Sequence, residues 1–287
     1  MTYTPQVTPV TSLDNPLIKE LRKLCLDGTA YRKTGRIWIE GEHLCSAYVQ
    51  RGLKADIAVF SDSFYQKNKS ADQLGYAQAA TKLIVIPDVF MMELSGLDSG
   101  AGMGLVCEIA NFGSANQHND LGKPNDLIDQ IDPTAPTVIL DRLQDPGNVG
   151  SILRSAAAFG FKQVIALKGS AALYAPKVLR AGMGAHFGLT LIESAELKSL
   201  ETLQLPLATT SSHQGQFLHD MLQNRELLAQ YPRGFNWILG HEGQGVSAAL
   251  QALAKLHVRI AQPGGEESLN VAAAAAICLH ASATMRL

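Results

Sequence analysis

The sequence predicts an α/β protein, because short β-type segments alternate with amphipathic helical segments along most of the chain. Its 287 residues, 46% of them hydrophobic, are enough to form two domains with separate cores. A polar stretch rich in glycine and proline divides the chain in its first half. We therefore predict a first domain over residues 1–111, a linker over 112–136 and a second domain over 137–287.

The first domain is predicted to begin with a helix. Asn15 followed by Pro16 is typical of an N-cap residue with proline at the first helical position. Apolar residues then recur at helical spacing, at Leu17, Ile18, Leu21, Leu24 and Cys25. Strand-like segments follow at Ile37–Ile39, Ile57–Phe60, Leu83–Ile86 and Leu105–Ile109. This pattern predicts a small α/β domain.

A basic segment lies on this helix and directly after it. Between Pro16 and Arg36 the chain carries six basic residues and two acidic ones, although the whole protein has a net charge of −2. A local basic patch of this kind is typical of proteins that contact nucleic acid through one face. The candidate contacts are Lys19, Arg22, Lys23, Arg32 and Lys33. The alternative is a charged helix face that contacts only solvent.

The second domain is predicted to contain a parallel sheet. A strand over Val138–Leu140, a helix over Val149–Phe159 that ends at Gly160, and a strand over Val164–Leu167 form one βαβ unit. Further strands are predicted at Leu207–Thr210, Trp237–Leu239 and Val258–Ile260. Ligands of open parallel sheets bind at the carboxyl ends of the strands, so we expect the loops there to carry the function.

The first of these loops runs from Asp145 to Gly150 and leads into a helix that carries Arg154. Helical spacing places Arg154 on the polar face, where a cation and the free N–H groups of the helix start could contact an anion. The alternative is that Arg154 only makes a surface or interface salt bridge. Gly147 and Gly150 have the spacing GxxG, whereas a dinucleotide-binding turn has GxGxxG. This argues against a nucleotide-dependent oxidoreductase with a doubly wound sheet.

The second loop, Gly240-His241-Glu242-Gly243-Gln244-Gly245, follows the strand that ends at Leu239. Its three glycines permit positive φ values and a close approach of a ligand to the backbone. Glu242 is unusual in a simple turn, and the alternative is a surface turn in which this carboxylate contacts only water. We interpret His241 as an incidental loop residue.

The third loop runs from Ile260 to Val271 and leads into the alanine-rich last helix. The glycine pair that starts at Gly264 predicts a turn that lets another group approach closely. Ser268 or Asn270 could belong to a site or could simply cap the helix.

These three loops, in this order, resemble the three motifs of the SpoU (TrmH-like) branch of the SPOUT RNA methyltransferases. The first motif is matched by Asn148, Gly150 and Arg154. The second, a glycine-acid-glycine loop after a strand, is matched by Gly240, Glu242 and Gly245. The third, a Ser-Leu-Asn-Val run that opens the last helix, is matched by residues 268–271. The resemblance covers residues 137–287.

Two other regions resemble the same family. Residues 175–181 are similar to a family segment, although Gly182 stands where serine is frequent and Ala261 where proline is frequent. These departures affect local loop shape and the fit of RNA more than activity. The region around Asn15 and residues 39–41 is more loosely similar to the family's N-terminal substrate-binding domain, which has a ribosomal-protein-like α/β fold.

The resemblance implies an RNA 2′-O-methyltransferase whose catalytic domain is an α/β trefoil knot with a parallel sheet. It implies S-adenosylmethionine as methyl donor, held by backbone groups of Gly240, Ile260 and Leu269. It implies Arg154 as the catalytic residue, oriented with the substrate by Asn148, Glu242, Ser268 and Asn270. Family members are homodimers whose active sites use both chains.

The chemical role of Arg154 stays open at this point, because in this family the residue is sometimes described as a base. A guanidinium remains protonated to above about pH 12, which favours stabilisation of the alkoxide or binding of the neighbouring phosphate. Glu242 could also pair with Arg154 directly.

The resemblance leaves rRNA and tRNA open as substrates, in loop or single-stranded form, because the 2′-hydroxyl must reach the methyl donor. The four cysteines are far apart, with no metal-ligand spacing, so reduced thiols and no metal are expected. No apolar run approaches the roughly 20 residues of a membrane span, and we expect a cytoplasmic protein without a membrane partner. The alternative is an RNA-binding or assembly protein that has lost catalysis, and the intact motif residues argue against it.

Overall fold

The computed structural model describes residues 6–67, 71–95, 100–112, 130–265 and 268–285. The described residues form two compact units, one within Met1–Asn119 and Tyr174–Phe187, the other within Asp120–Leu173 and Gly188–Leu287. Most of the predicted linker, residues 113–129, lies outside the described residues. None of the helices in the described part of the chain has the length and apolar character that a membrane span requires.

The first unit contains a five-stranded sheet with helices packed on it. Its strands are β1 (Val7–Pro9), β2 (Arg36–Glu40), β3 (Ala55–Ser61), β4 (Ala80–Ile86) and β5 (Met103–Glu108). Helices in this part are α1 (Pro16–Leu26), α2 (Tyr31–Thr34), α3 (Glu42–Val49), α4 (Asp62–Lys67), α5 (Ala71–Gln78) and α6 (Asp88–Leu94). The strand order is β1-β4-β3-β5-β2, and β5 is antiparallel to both of its neighbours. The α/β prediction for this part of the chain is confirmed.

Helix α1 begins where the sequence predicts. The Asn15 side chain accepts a hydrogen bond from the N–H of Leu17, and proline follows the cap. Ile18, Leu21 and Leu24 are buried in the core of the unit, as their spacing predicts. Helix α1 therefore packs on the sheet through its apolar stripe.

The second unit contains a seven-stranded sheet in which every strand pairing is parallel. Its strands are β6 (Thr137–Asp141), β7 (Gln163–Leu167), β8 (Thr190–Ala195), β9 (Leu207–Thr210), β10 (Gln216–Phe217), β11 (Asn236–Gly240) and β12 (Leu256–Arg259). Helices in this half of the chain are α7 (Pro146–Ala158), α8 (Pro176–Gly182), α9 (Leu218–Gln223), α10 (Arg225–Gln230), α11 (Ala248–Leu253) and α12 (Val271–Thr284). The strand order is β10-β12-β9-β11-β6-β7-β8. The predicted parallel sheet is confirmed.

The sequence pattern does not predict three of the strands, and all three lie at sheet edges. β1 and β10 are only three and two residues long. β8 carries mostly half-buried and exposed residues, so it lacks the apolar run of a central strand. Edge strands contribute little apolar pattern because only part of their surface is covered.

Helix α8 lies in the second half of the sequence but clusters with the first unit. Its Arg180 pairs with the buried Glu40 of β2, with 3.5 Å between Nη1 and Oε1. On either side of the helix, Tyr174 makes an edge contact with Tyr31 and Phe187 makes one with Tyr48. The sequence-based division assigned this segment to 137–287, since chain order alone does not indicate which core an apolar helix joins.

The residues just before β6 also pack differently from what the sequence predicted, which placed them in the linker. Ile131 and Ala135 are buried, and Ile131 belongs to the core of the second unit. The backbone N–H of Asp132 donates to the Gln163 side chain at 2.9 Å. The part of the predicted linker that the structure describes after residue 130 therefore packs on the second unit.

Helix α12 returns the chain end to the middle of the second unit, where it packs against α7 and β11. Its small residues allow close packing, and Cys278 and Leu279 are fully buried. Burial raises the pKa of the Cys278 thiol to about 12, so it remains protonated. The buried indole N–H of Trp237 in β11 donates to the hydroxyl of Ser282 at 2.6 Å. This bond fixes the helix on the central sheet.

Ser282→Ala should therefore lower the free energy of unfolding by about 1–3 kcal/mol, because it leaves the buried Trp237 N–H without an acceptor. Chemical denaturation measures the effect. Ser151→Ala is the control, since Ser151 is exposed on α7 without a hydrogen bond to the described residues; it should change stability by less than about 0.5 kcal/mol. Equal stability of the two variants would contradict the role of this bond.

Candidate active site

The three predicted loops meet at the carboxyl end of the second unit's sheet. Strands β6 and β11 are neighbours, and Asp141 at the end of one pairs with Gly240 at the end of the other. The first and second loops therefore leave the sheet side by side. The third loop leads into α12, which packs against the helix that follows the first loop. The topology thus brings all three loops to one edge.

Glu242 connects the second loop to the first. Its Oε1 accepts a hydrogen bond from the N–H of Asp145 at 3.2 Å and one from Asn148 Nδ2 at 3.3 Å. Its Oε2 accepts one from the N–H of Gln144 at 3.4 Å. The side chain is exposed to solvent, but its oxygens face donors of the first loop. Glu242 is therefore a connecting residue and not simply a solvated turn residue.

Asn270 connects the third loop to the first. Its Nδ2 donates to Asn148 Oδ1 at 2.9 Å. Its Oδ1 accepts hydrogen bonds from the N–H groups of Ala272 and Ala273 at 2.9 and 3.3 Å, which caps α12. Capping and site formation, which were alternatives on sequence, are thus combined in one side chain. Asn148 lies between Glu242 and Asn270 and contacts both.

These contacts lower the pKa of Glu242. Partial burial alone raises the pKa of this carboxyl group, but hydrogen bonds from the backbone of Glu242 and Asp145, from Asn148 and from the backbone of Gln144 outweigh it. The carboxylate is consequently charged at neutral pH and a weak proton acceptor.

Arg154 is exposed on the polar face of α7, as its spacing predicts. It makes no hydrogen bond or ion pair within the described residues, so the alternative of a salt bridge inside this chain has no support. The direct pair between Glu242 and Arg154 that the sequence left possible is not formed, because the carboxylate accepts hydrogen bonds from the backbone N–H groups of Gln144 and Asp145 instead. The Arg154 guanidinium is therefore left accessible.

The other predicted site residues lie on the third loop. Ser268 and Leu269 are exposed, and Ile260 is half-buried. Ser268 makes no hydrogen bond with the described part of the chain. Residues 266 and 267 of this loop lie outside the described residues. The structure thus brings Asn148, Glu242 and Asn270 into contact, whereas Ser268 and Leu269, on the same loop as Asn270, make no side-chain hydrogen bond to the described residues.

The second loop requires glycine at one position in particular. A Cβ on Gly240 would lie 2.2 Å from backbone atoms of Gly245 and Val246, so no side chain fits there. Gly245 adopts a φ of 67° and its N–H donates to the carbonyl of His241 at 2.8 Å. The His241 ring accepts hydrogen bonds from the N–H groups of Gly243 and Gln244 at 3.0 and 3.3 Å, so it stabilises the turn.

Sequence patterning missed a second connection between the loops, centred on Asp141 and Arg142. Buried Asp141 accepts from the N–H of Ser247 at 2.7 Å and from Arg142 Nε at 3.0 Å. Arg142 Nη1 donates to Gln244 Oε1 at 3.1 Å. Arg142 adopts a φ of 59°, which is uncommon for a residue other than glycine. An Asp-Arg pair at the carboxyl end of a buried strand was the signal available in the sequence.

The candidate RNA-binding residues of the first unit differ in their surroundings. Lys19 pairs with Asp14 at 3.0 Å, and Arg22 pairs with Glu93. The Arg32 guanidinium lies over the ring of its neighbour Tyr31. All five candidates are at least partly exposed; the other two are Lys23 and Lys33. The charges of Lys19 and Arg22 are thus partly neutralised by acids of the same unit.

Among the described residues, no group of three or more His, Cys, Asp or Glu side chains is arranged to hold a metal ion.

Comparison with known proteins agrees with this geometry. Residues 135–280 match the model of the SpoU rRNA Methylase family. An uncharacterized tRNA/rRNA methyltransferase of Synechocystis sp. is 31% identical over 282 residues, which are 96% of this chain and 94% of that protein. The crystal structure of an RNA 2′-O ribose methyltransferase matches with a TM-score of 0.73 and 27% identity, covering 97% of this chain and 99% of the other.

A structure of an AdoMet-bound rRNA methyltransferase from Sinorhizobium meliloti matches with a TM-score of 0.75 and 22% identity, over 98% of this chain and 99% of that one; it shows a common fold. The parallel-sheet fold, the three joined loops and these similarities together define the chain as an RNA methyltransferase. The chain belongs to the SpoU rRNA methylase family.

The lowered pKa of Glu242 predicts how stability depends on pH. A carboxyl group with a lower pKa in the folded state stabilises the fold above its ordinary pKa, here 4.5, and loses this contribution as pH falls through the lower value. As pH is lowered from about 5 to about 3, the melting temperature of Glu242→Gln should therefore fall less than that of the wild type. Glu226→Gln, an exposed control on α10, should follow the wild-type curve. Parallel curves for wild type and Glu242→Gln would refute this.

Proposed function

We propose that this chain transfers the methyl group of S-adenosylmethionine to a ribose 2′-hydroxyl of rRNA or tRNA. The observation that carries the proposal is the set of hydrogen bonds through which Asn148, Glu242 and Asn270 join the three loops beside an accessible Arg154. Family membership supplies RNA methylation. The similarity to a solved RNA 2′-O ribose methyltransferase supports the ribose as acceptor.

The loops fit S-adenosylmethionine as the cofactor, and the fold is that of a protein described as AdoMet-bound. Backbone groups of Gly240, Ile260 and Leu269 would hold it, because the glycine-rich second loop and the exposed third loop leave main-chain groups accessible. Gln262 Oε1 is buried and lacks a donor among the described residues, so a bound ligand with an amino group would satisfy it. The cofactor supplies an electrophilic methyl group on a sulfonium.

Arg154 is proposed to act on the reacting ribose. Methyl transfer is an in-line displacement, so the attacking 2′-oxygen must be aligned with the methyl group and must lose its proton. A guanidinium is charged at working pH and cannot readily accept that proton. Arg154 would therefore stabilise negative charge on the oxygen or hold the neighbouring phosphate, and would not act as the base.

Asn148, Glu242, Ser268 and Asn270 are proposed to orient Arg154 and the substrate. Glu242 is a poor base, since its pKa is lowered and its oxygens accept hydrogen bonds from Gln144, Asp145 and Asn148. Asn148 uses both ends of its amide within the network. These residues would fix the loop from which α7 starts, and thereby the position of Arg154. Ser268, exposed beside Asn270, is available to the RNA.

The first unit is proposed to bind the RNA substrate. All five side chains are at least partly exposed, and the ion pairs of Lys19 and Arg22 lie at the surface, so these cations can exchange a partner for a phosphate. RNA binding through these residues would weaken as salt concentration rises, because it depends on neutralising phosphates.

We further propose a trefoil knot in the second unit and a homodimer, as the family resemblance implies. Return of the chain end to α7 and β11 is consistent with a threaded C-terminal segment. On α12, Ala273, Ile277 and His280 are exposed at helical spacing and form a face that a second copy could cover. A cytoplasmic location is proposed from the four free cysteines.

The dimer proposal predicts a sedimentation result. The wild type should sediment as a dimer at micromolar concentration, and Ile277→Asp should shift it toward monomer by placing a charge in the contact. Leu253→Asp on α11 is the matched control, because Leu253 and Ile277 are both 41% exposed. A wild-type monomer that retains activity would exclude the dimer.

Arg154→Ala should reduce single-turnover methylation of cognate RNA by on the order of a hundredfold to a thousandfold, since one transition-state contact is lost. Affinity for S-adenosylmethionine should remain near the wild-type value. Arg154→Lys should restore activity only in part, because an ammonium group lacks the planar fork of a guanidinium.

Arg225→Ala is the control, since Arg225 is an exposed arginine of the same unit. A melting curve for each variant distinguishes catalysis from stability. Near-normal turnover by Arg154→Ala would eliminate the catalytic role, and a loss confined to melting temperature would assign Arg154 to structure.

A further inference from the structure

Arg259, the last residue of β12, is a cation that has no acidic partner among the described residues. Its guanidinium lies over the Phe217 ring, with 4.0 Å between Cζ and the ring centroid. The two residues are paired in register between β10 and β12, so their side chains share one face of the sheet. Arg259 Nε is buried and makes no hydrogen bond, and the guanidinium forms no ion pair within the described residues.

With the described residues alone this arrangement is unfavourable, and a bound ligand would complete it. A buried N–H that has lost water and found no acceptor costs free energy, and a guanidinium cannot avoid the cost by losing its proton. Stacking on Phe217 holds the guanidinium plane but provides no acceptor for its N–H groups. The missing group is an anion with acceptor atoms in a plane.

Gln262 lies three residues further along the chain. Where Arg259 lacks a hydrogen-bond acceptor, Gln262 lacks a hydrogen-bond donor among the described residues. Its Oε1 is buried, and no donor reaches it from the described residues. Ile260, where the third loop begins, lies between these two residues in the chain. One short stretch of chain therefore contains a buried donor and a buried acceptor, both without partners among the described residues. A ligand that carries both a carboxylate and an amino group matches this pair.

The location favours a small ligand of the active site. Strand β12 lies beside β9, and β9 lies beside β11, whose last residue is Gly240. The loop before β10 covers the outer side of β12 closely, since a Cβ on Gly215 would lie 2.1 Å from the carbonyl oxygen of His257. Because Arg259 Nε is buried, a small ligand that enters the site fits it better than a phosphate of the RNA backbone.

We propose that Arg259 binds the carboxylate at the amino-acid end of S-adenosylmethionine, and that Gln262 Oε1 accepts a hydrogen bond from an amino group of the same molecule. The inference rests on the proposed function and adds side-chain recognition to the backbone contacts described above. The carboxylate is the anionic group of this cofactor, and a guanidinium can bind it through two parallel N–H donors. Phe217 positions Arg259 for this contact.

Equilibrium binding to the full chain tests the proposal with two probes. S-Adenosylhomocysteine has the amino-acid end, whereas 5′-methylthioadenosine lacks it. Arg259→Ala should lose roughly tenfold to a hundredfold in affinity for S-adenosylhomocysteine and bind 5′-methylthioadenosine as the wild type does. Arg259→Lys should fall between, because it keeps the charge without the fork. Arg225→Ala should bind both probes like the wild type.

Phe217→Leu is a second variant, which retains Arg259 but removes the stacking surface, and it should weaken only S-adenosylhomocysteine binding. An equal loss for both probes in Arg259→Ala would overturn the proposal in favour of a structural role. Reduced RNA affinity with unchanged S-adenosylhomocysteine affinity would overturn it in favour of an RNA phosphate contact. Failure of the wild type to bind either probe would reject the proposed function itself, whereas wild-type affinity of Arg259→Ala for S-adenosylhomocysteine would reject this inference alone.

Discussion

The carboxylate of Glu242 accepts hydrogen bonds from the N–H groups of Gln144 and Asp145 and from the Asn148 side chain. This interaction constrains the start of α7, because the same loop supplies the residue that caps the helix. Asn148 in turn accepts a hydrogen bond from Asn270, which caps α12. A single acid thereby fixes two helix starts at one end of the sheet. Arg154, about two turns into α7, is positioned by that constraint.

Packing away from the loops supports the same arrangement. Trp237 in the central sheet binds Ser282 near the end of α12, so the helix is held at both its capped start and its far end. Asp141 and Arg142 connect the first and second loops at the sheet itself. The site is therefore supported by rigid elements, which is what alignment of a hydroxyl with a methyl donor requires.

Features encoded locally could be predicted from the sequence. The Asn15 cap, the central parallel strands and the glycine-rich turns depend on residues that are close in the chain. Contacts between distant residues could not. Asn148 lies 94 residues from Glu242 and 122 from Asn270, and sequence order does not select which donor an acid will meet. For the same reason the packing of α8 with the first unit, and the pairing of Arg22 with Glu93, escaped sequence analysis.

The central claim is that the product is a ribose methyl ether, and analysis of the product tests it most directly. The full chain would be incubated with S-adenosylmethionine carrying a labelled methyl group and with RNA from a strain that lacks this gene, followed by alkaline hydrolysis. A 2′-O-methyl group blocks cleavage of the adjoining phosphodiester, so the account predicts label in alkali-stable dinucleotides. Recovery of the label in mononucleotides with methylated bases would contradict it.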